Sequence, residues 1–398
     1  MYKKDIIIIG QQAWDTTIGS NCKNIALELS KHNRVLYVNS PLDRITLYRD
    51  RHNPKVKRRL DAVKNKEHNL IQVENNIWNL YPDCLVESIN WIGNGAIFDF
   101  FNKRNNAKFS NSIKKAAAKL GFVDYLLFND NEIFKGFYLK EFLNPFLSIY
   151  YSRDNMLAVD YWRRHGTRLE PLLIAKSDIC MANSVFLTEH CKEYNEKSFY
   201  IGQGCELEIF NINDHAVIPS ELLKINTPII GYVGALQNIR LDIGLIRHIA
   251  LTRKDWTVVL VGNEDSVFQQ SDLHQLDNVV FTGPKPIAEL PKYIQFFDVC
   301  INPQLMNEIT IGNYPRKIDE YLAMGKPVVA LATKAMEIFK EEVYLAIEWE
   351  EYVEMIDKAL REDSAELKNS RIYLASQHSW ENCVNEIYKS IELTINNR

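Results

Sequence analysis

Asn313 to Val329 reads Asn-Tyr-Pro-Arg-Lys-Ile-Asp-Glu-Tyr-Leu-Ala-Met-Gly-Lys-Pro-Val-Val, which sets two cations and a carboxylate at a helix start. The free backbone N–H groups of a helix start bind anions. Here the helix start falls at Asn313, Tyr314 and Pro315, the last with no N–H of its own to leave unsatisfied, beside Arg316 and Lys317. Glu320, one turn in, can accept both hydroxyls of a ribose. Together these groups suit a nucleoside diphosphate. Arg316 and Lys317 point about 100° apart on a helix, so one of them faces the phosphates. Lys317 is favoured, because Glu320 is its i+3 neighbour on the same face. The same spacing also describes a surface Lys–Glu pair. That reading leaves its place between a Gly-Asn-Tyr-Pro loop and an apolar strand unexplained.

A second cation stands in Gly231-Tyr-Val-Gly-Ala-Leu-Gln-Asn-Ile-Arg-Leu-Asp242. Gly231 and Gly234 end a strand where the backbone must approach something closely. Arg240 lies at the entrance of the next helix, at a strand C-terminus, where open α/β sheets bind ligands. Asp242 suits the cap of that helix better than a ligand contact. Lys285 sits in the rigid turn Phe281-Thr-Gly-Pro-Lys-Pro286. In the first half, Gly19-Ser20 precedes a helix with Lys23 one turn in, a further anion-binding start. Trp14 and Asp15 share its loop. Asp154 closes the strand end Tyr150-Tyr-Ser-Arg-Asp, and Asn129, Asp130 and Glu132 form another polar rim.

The elements that must carry these residues alternate strand and helix. Strands are predicted at Asp5–Ile9, Arg34–Asn39, Val123–Phe128, Leu147–Tyr151, Asp178–Met181 and Ser198–Ile201. Helices fall at Asn21–Lys31, Ser110–Leu120, Gly166–Lys176 and Val185–Tyr194. The second half repeats the pattern, with strands at Pro228–Val233, Trp256–Val261, Asn278–Phe281, Val299–Asn302 and Val328–Leu331. Such alternation implies parallel βαβ units. The expected architecture is α/β: two Rossmann-like doubly wound domains facing a cleft. Expected boundaries are 1–205, a polar linker 206–226, 227–378, and a C-terminal amphipathic helix 379–398 with Trp380, Val384, Ile387 and Tyr388 as its stripe.

The Asn313–Val329 run resembles the nucleotide-sugar segment of retaining glycosyltransferases of the GT-B fold. That resemblance implies that Glu320 grips the donor ribose, that Arg240 and Lys317 bind the diphosphate, and that the final helix crosses back onto the first domain. It also implies that the Lys285 turn lies by the base, and that Asp154 corresponds to a carboxylate of the family's Tyr-Asp-x-x-Asp segment. Two positions depart from the family pattern. Gly312 stands where many members carry another Glu, and Ala235 where the family has an Arg. The implied activity is transfer from a nucleotide-diphospho sugar, as donor substrate rather than cofactor, to a surface-polysaccharide or lipid-linked glycan, without metal. A nucleotide-sugar epimerase of the same fold and a non-catalytic sugar-nucleotide or glycan-binding protein are the alternatives.

Composition narrows the class. Hydrophobic residues make up 46% and charged residues 25% of 398, and the net charge is −4. That balance gives no global attraction to nucleic acid. Seven cysteines without close pairs fit a reducing, cytoplasmic setting better than a disulfide framework or a zinc site. There is no Asp-x-Asp, Gly-x-Ser-x-Gly, His-Glu-x-x-His or Walker lysine loop. No apolar run approaches the roughly 20 residues that span a bilayer. Arg44–Lys66 holds nine Lys/Arg against two Asp. It reads either as a solvated loop or as a contact for an anionic membrane surface at the inner face of the cell membrane.

Overall fold

The computed structural model describes residues 3–16, 20–65, 69–213, 217–312 and 314–396. The chain divides into two units, Met1–Gly202 with Cys383–Arg398, and Gln203–Asn382.

The first unit is built on an eight-stranded sheet among the described residues. Its strands are β1 (Asp5–Gly10), β2 (Arg34–Asn39), β4 (Leu70–Glu74), β5 (Ile77–Leu80), β7 (Leu126–Asp130), β8 (Leu147–Ser152), β9 (Ile179–Ala182) and β10 (Ser198–Tyr200). Short strands β3 (Leu42–Asp43) and β6 (Leu85–Val86) pair separately. The sheet order is β10-β9-β8-β7-β1-β2-β5-β4. All neighbours are parallel except β4, which closes an antiparallel hairpin on β5. Ile6 to Ile9 are all buried, as a strand covered on both faces requires. The C-terminal helix Trp380–Asn396 buries Val384, Ile387 and Tyr388. Tyr388 Oη accepts from Asn33 Nδ2 at 2.8 Å within this unit.

The second unit carries a parallel sheet of β11 (Ile229–Val233), β12 (Thr257–Val261), β13 (Val279–Gly283), β14 (Val299–Asn302), β15 (Val328–Leu331) and β16 (Tyr344–Ala346). Its order, β13-β12-β11-β14-β15-β16, is the doubly wound 3-2-1-4-5-6 pattern. The topological switch point lies between β11 and β14. The segment expected as a polar linker packs into this unit, with Phe210 and Leu222 buried in its core.

Several elements differ from expectation for local reasons. Arg44–Lys64 is not a loop but two helices, Arg44–Arg49 capped by Asp43 and Pro54–Lys64 capped by Asn53. The capping side chains and Pro54 outweigh the charge run. Helix Ala96–Leu120 starts well before Ser110. Asn102, Asn105 and Asn106 are buried there and interrupt the apolar period. β7 starts at Leu126 rather than Val123, after Asp124 at φ +50°.

Candidate functional site

The helix Arg316–Ala323 is set by its apolar stripe. Ile318, Tyr321 and Leu322 are fully buried against the second unit's core. Gly325, at φ +67°, ends it in the left-handed region that glycine tolerates. Tyr321 fixes its position along the sheet. Its hydroxyl accepts from the backbone N–H of Val233, the last residue of β11, at 2.8 Å. Lys317 lies one turn before Tyr321 on the same face, so it arrives at the next residue of the chain, Gly234.

The glycines make that arrival possible. Gly234 has φ +147°, and a Cβ there would stand 2.0 Å from Lys317 Cε and 2.6 Å from Nζ. A Cβ on Gly262 would in turn lie 1.8 Å from the Gly234 carbonyl oxygen. The backbone is thus stripped at the β11 and β12 ends, and the Lys317 ammonium occupies the space. Its Nζ lies 5.6 Å from the centre of the Tyr232 ring. Among the described residues it makes no ion pair.

Glu320, half-buried, also has no hydrogen bond or ion pair to its carboxylate among the described residues. Burial raises its pKa above the ordinary 4.5, against the lowering influence of Lys317 and Arg316. A poorly solvated carboxylate and an ammonium one turn apart on the same helix thus both lack a side-chain partner among the described residues. Arg316 Nε is buried without a partner among the described residues.

Arg240 stands in the turn after β11, exposed and without a side-chain partner among the described residues. The loop is nonetheless held. Leu305 N–H donates to the Arg240 carbonyl at 2.8 Å, and Asn307 Nδ2 to the Ile239 carbonyl at 2.9 Å. The segment after β14 therefore fastens the Arg240 turn at the switch point. Asp242 caps helix Ile243–Thr252, accepting from Leu245 N–H at 3.0 Å.

Three expected residues have other employment. Lys285 Nζ donates to Glu221 Oε1 at 2.6 Å, and Tyr293 Oη to the same oxygen at 3.1 Å. That ion pair lowers the Glu221 carboxyl to about 2 and raises the lysine. Lys285 thereby ties the 206–226 segment to its turn rather than reaching out as a free cation. Tyr314 is buried, edge-on to Phe339, with its hydroxyl 3.2 Å from His378 Nδ1. In the first unit Asp154 pairs with the Arg153 guanidinium, which also holds buried Asp130 at 2.7 Å and Gln11 at 2.7 Å. The expected polar rim of Asn129, Asp130 and Glu132 is wholly buried. Gly19 and Asn313 lie outside the described residues. Ser20, following Gly19, caps helix Asn21–Ser30.

Sequence reading missed a buried network behind the helix start. Asp319 is fully buried. It accepts from His378 Nδ1 at 2.6 Å and from the Cys205 thiol at 3.1 Å. The three residues are far apart in sequence and share no motif. The only signal was a charged residue inside an apolar helical stripe.

Residues 227–362 match the family described as Glycosyl transferases group 1. TuaH of Bacillus subtilis (strain 168), whose name describes a teichuronic acid biosynthesis glycosyltransferase, is 30% identical over 247 residues. The match spans 58% of this chain and 60% of that protein's length. Sucrose-phosphate synthase from Thermosynechococcus elongatus is similar with a TM-score of 0.66 at 15% identity, covering 100% of both chains. Anabaena HepE, solved in complex with UDP, gives 0.67 at 16% identity, covering 98% of this chain and 99% of its own. At such identities these structures speak for the fold. The chain has the two-domain GT-B fold, and residues 227–362 carry its match to the glycosyl transferases group 1 family.

Proposed function

We propose that the protein is a glycosyltransferase that moves a sugar from a nucleotide-diphospho sugar onto a surface-polysaccharide or lipid-linked glycan, with retention of configuration and without a metal ion. The observation that carries this reading is the Lys317–Glu320 pair, both unpartnered among the described residues, seated on Gly234 at the switch point. Lys317 and Arg240 would meet the negative charge that develops on the leaving diphosphate, where fixed charge lowers the barrier. Glu320 would accept the ribose hydroxyls. The family match over 227–362 supports the assignment, and the TuaH likeness supports a glycan acceptor. UDP is the first nucleotide to test, because HepE of the same fold was solved with it. A thermal-shift screen of nucleotide sugars, then turnover with and without acceptor, tests the reading. Turnover of donor alone to an epimer would replace it by an isomerase.

Glu320→Ala should weaken nucleotide binding by about 1.5–3 kcal/mol, the loss of hydrogen bonds to a charged group. Its raised pKa adds a signature. The folded protein holds this proton more tightly than the unfolded chain. Ionised Glu320 therefore opposes folding above its raised pKa, and its cost is relieved as pH falls through that value. Glu320→Gln should accordingly raise the melting temperature at neutral pH while lowering nucleotide affinity. A variant less stable than the parent at neutral pH overturns the raised pKa, and one binding nucleotide equally well removes the ribose assignment.

Contact with an anionic membrane face is proposed through helix Pro54–Lys64. Lys55, Lys57 and Lys64 are exposed and without ion pairs among the described residues, and Tyr48 nearby in sequence is 86% exposed. Arg58 is set aside, lying over the Tyr81 ring at 4.7 Å and 4.0 Å from Asp15. Neutralising the three lysines should weaken binding to anionic vesicles by roughly 3 kcal/mol, about 1 per residue. Cosedimentation equal to the parent's at low salt leaves this helix merely solvated.

A further inference from the structure

The first unit carries an exposed apolar patch that the proposed nucleotide site does not use. Ile45 is 51% exposed, Tyr48 86%, Trp91 70% and Tyr161 52%. They come from three separate elements. Ile45 and Tyr48 share one side of helix Arg44–Arg49 at i, i+3 spacing, and that helix buries none of its residues. Trp91 lies in the stretch after β6, and Tyr161 in the first turn of helix Asp160–Lys176.

Hydrogen bonds tie these elements together. Ser88 Oγ accepts from the Ile45 N–H at 3.0 Å, and the Ser88 carbonyl accepts from Trp91 Nε1–H at 2.8 Å. Asn90 Nδ2 donates to the Tyr161 carbonyl at 3.1 Å, and Arg164 to the Trp91 carbonyl at 2.9 Å. Ile45, Trp91 and Tyr161 accordingly line one cavity, of about 410 Å³. The only polar atom of the Trp91 ring is satisfied by its own chain, so the rest of the ring faces water as apolar surface. Large apolar side chains held in water around one opening mark an interaction surface.

The charges around the patch select its partner. The acids beside it are spent. Glu87 pairs with Arg44, Asp50 with Arg49, and Asp160 with Arg163. Asp43 accepts from Thr46 and Ser88. Arg51 and Arg164 are exposed and make no ion pair among the described residues. Helix Pro54–Lys64, with its unpaired lysines, packs beside helix Arg44–Arg49. The complementary partner presents an apolar layer behind a negative surface, which describes an anionic bilayer in section. Trp and Tyr rings favour the depth of the head groups. Arginine stems lie along apolar surface while their guanidinium groups stay among polar ones. Buried apolar area and attraction to anionic lipid add in such binding.

We propose that this patch docks the first unit on an anionic bilayer, with Ile45, Tyr48, Trp91 and Tyr161 entering the head-group region and Arg51 and Arg164 meeting lipid phosphates. This deepens the membrane contact proposed for helix Pro54–Lys64 and rests on that reading for the bilayer as partner.

The test is cosedimentation of the full chain with vesicles of phosphatidylglycerol and phosphatidylcholine, and with phosphatidylcholine alone. It is run at about 0.1 M and about 1 M salt, between which the Debye length falls from roughly 10 Å to 3 Å. The parent should bind the anionic vesicles at low salt, and part of that binding should survive high salt, because apolar insertion is not screened. Tyr48→Ser with Trp91→Ser should lower the affinity tenfold or more and abolish the surviving part. Neutralising Lys55, Lys57 and Lys64 should leave the surviving part in place. Lipids brominated near the head group provide a second readout on an intact surface, and should quench the tryptophan fluorescence of the parent more than that of Trp91→Phe. Binding lost in the serine variant but kept in the lysine variant sustains the patch and overturns the lysine helix. The reverse overturns the patch and leaves the lysine helix standing. Equal quenching in parent and Trp91→Phe overturns the proposal, as does equal binding to phosphatidylcholine alone. Self-association that the serine substitutions abolish assigns the patch to a second copy of this chain, and overturns it as well.

Discussion

Lys317→Ala should lower the rate of sugar transfer by about 10²–10³-fold, the range for removing one preorganised group that meets developing charge. Two features place this side chain above other basic residues of the second unit. It has no ion pair among the described residues, so its charge is not spent on protein. It is also held, against Gly234 and near the Tyr232 ring, so little reorganisation is needed when charge develops. Arg240 is free but exposed, and its loss should act in the same direction with a smaller effect. The variants should lose affinity for a nucleoside diphosphate more than for the nucleoside, because only the former carries the charge they answer. Initial rates, with both affinities measured by calorimetry, read the result. A Lys317→Ala enzyme that turns over at the parent rate would show that the diphosphate lies elsewhere. Abolition of parent activity by chelator, with recovery on adding a divalent ion, would remove the metal-free account.

The legible parts of the fold were those that local chemistry dictates. Strands such as Ile6–Ile9 and Val328–Ala330 are too apolar for anything but a covered sheet, and they are buried as such. The Arg316–Ala323 helix was equally readable, because its stripe, its proline and its glycine stop agree with one another. What escaped was set by partners distant in sequence. Lys285 looked like any turn lysine until Glu221 came within 2.6 Å. Buried asparagines hid the first half of helix Ala96–Leu120, since Asn105 and Asn106 satisfy their amides through tertiary contacts, such as Asn106 with the Phe134 carbonyl at 3.0 Å. A single sequence carries the apolar period but not the address of a hydrogen-bond partner. The cluster of Gln11, Asp130, Arg153 and Asp154 illustrates the point. Its members lie at the ends of three parallel strands, and only the sheet order β8-β7-β1 makes them neighbours.

Asp319→Ala should destabilise the second unit by about 1–3 kcal/mol, the cost of leaving buried hydrogen-bond donors without their acceptor. Alanine would leave the Cys205 thiol facing a cavity without its acceptor, and His378 Nδ1 with the Tyr314 hydroxyl at 3.2 Å in place of the shorter contact to the carboxylate. It would also release the start of the Arg316–Ala323 helix from two segments it now holds, since Cys205 N–H in turn donates to the His378 carbonyl at 2.9 Å. Lys317 and Glu320 flank Asp319 in sequence, so loosening here should reach the proposed nucleotide contacts. Asp319→Asn keeps an acceptor for His378 and should lose distinctly less. Thermal unfolding of the full chain reads the stability. Hydrogen exchange across Arg316–Ala323 reads the loosening, which should appear in the alanine variant before any global unfolding. If Asp319→Ala melts with the parent and protects those amides equally, the Asp319–His378–Cys205 contacts do not hold the helix, and its placement rests on Tyr321 and the apolar stripe alone.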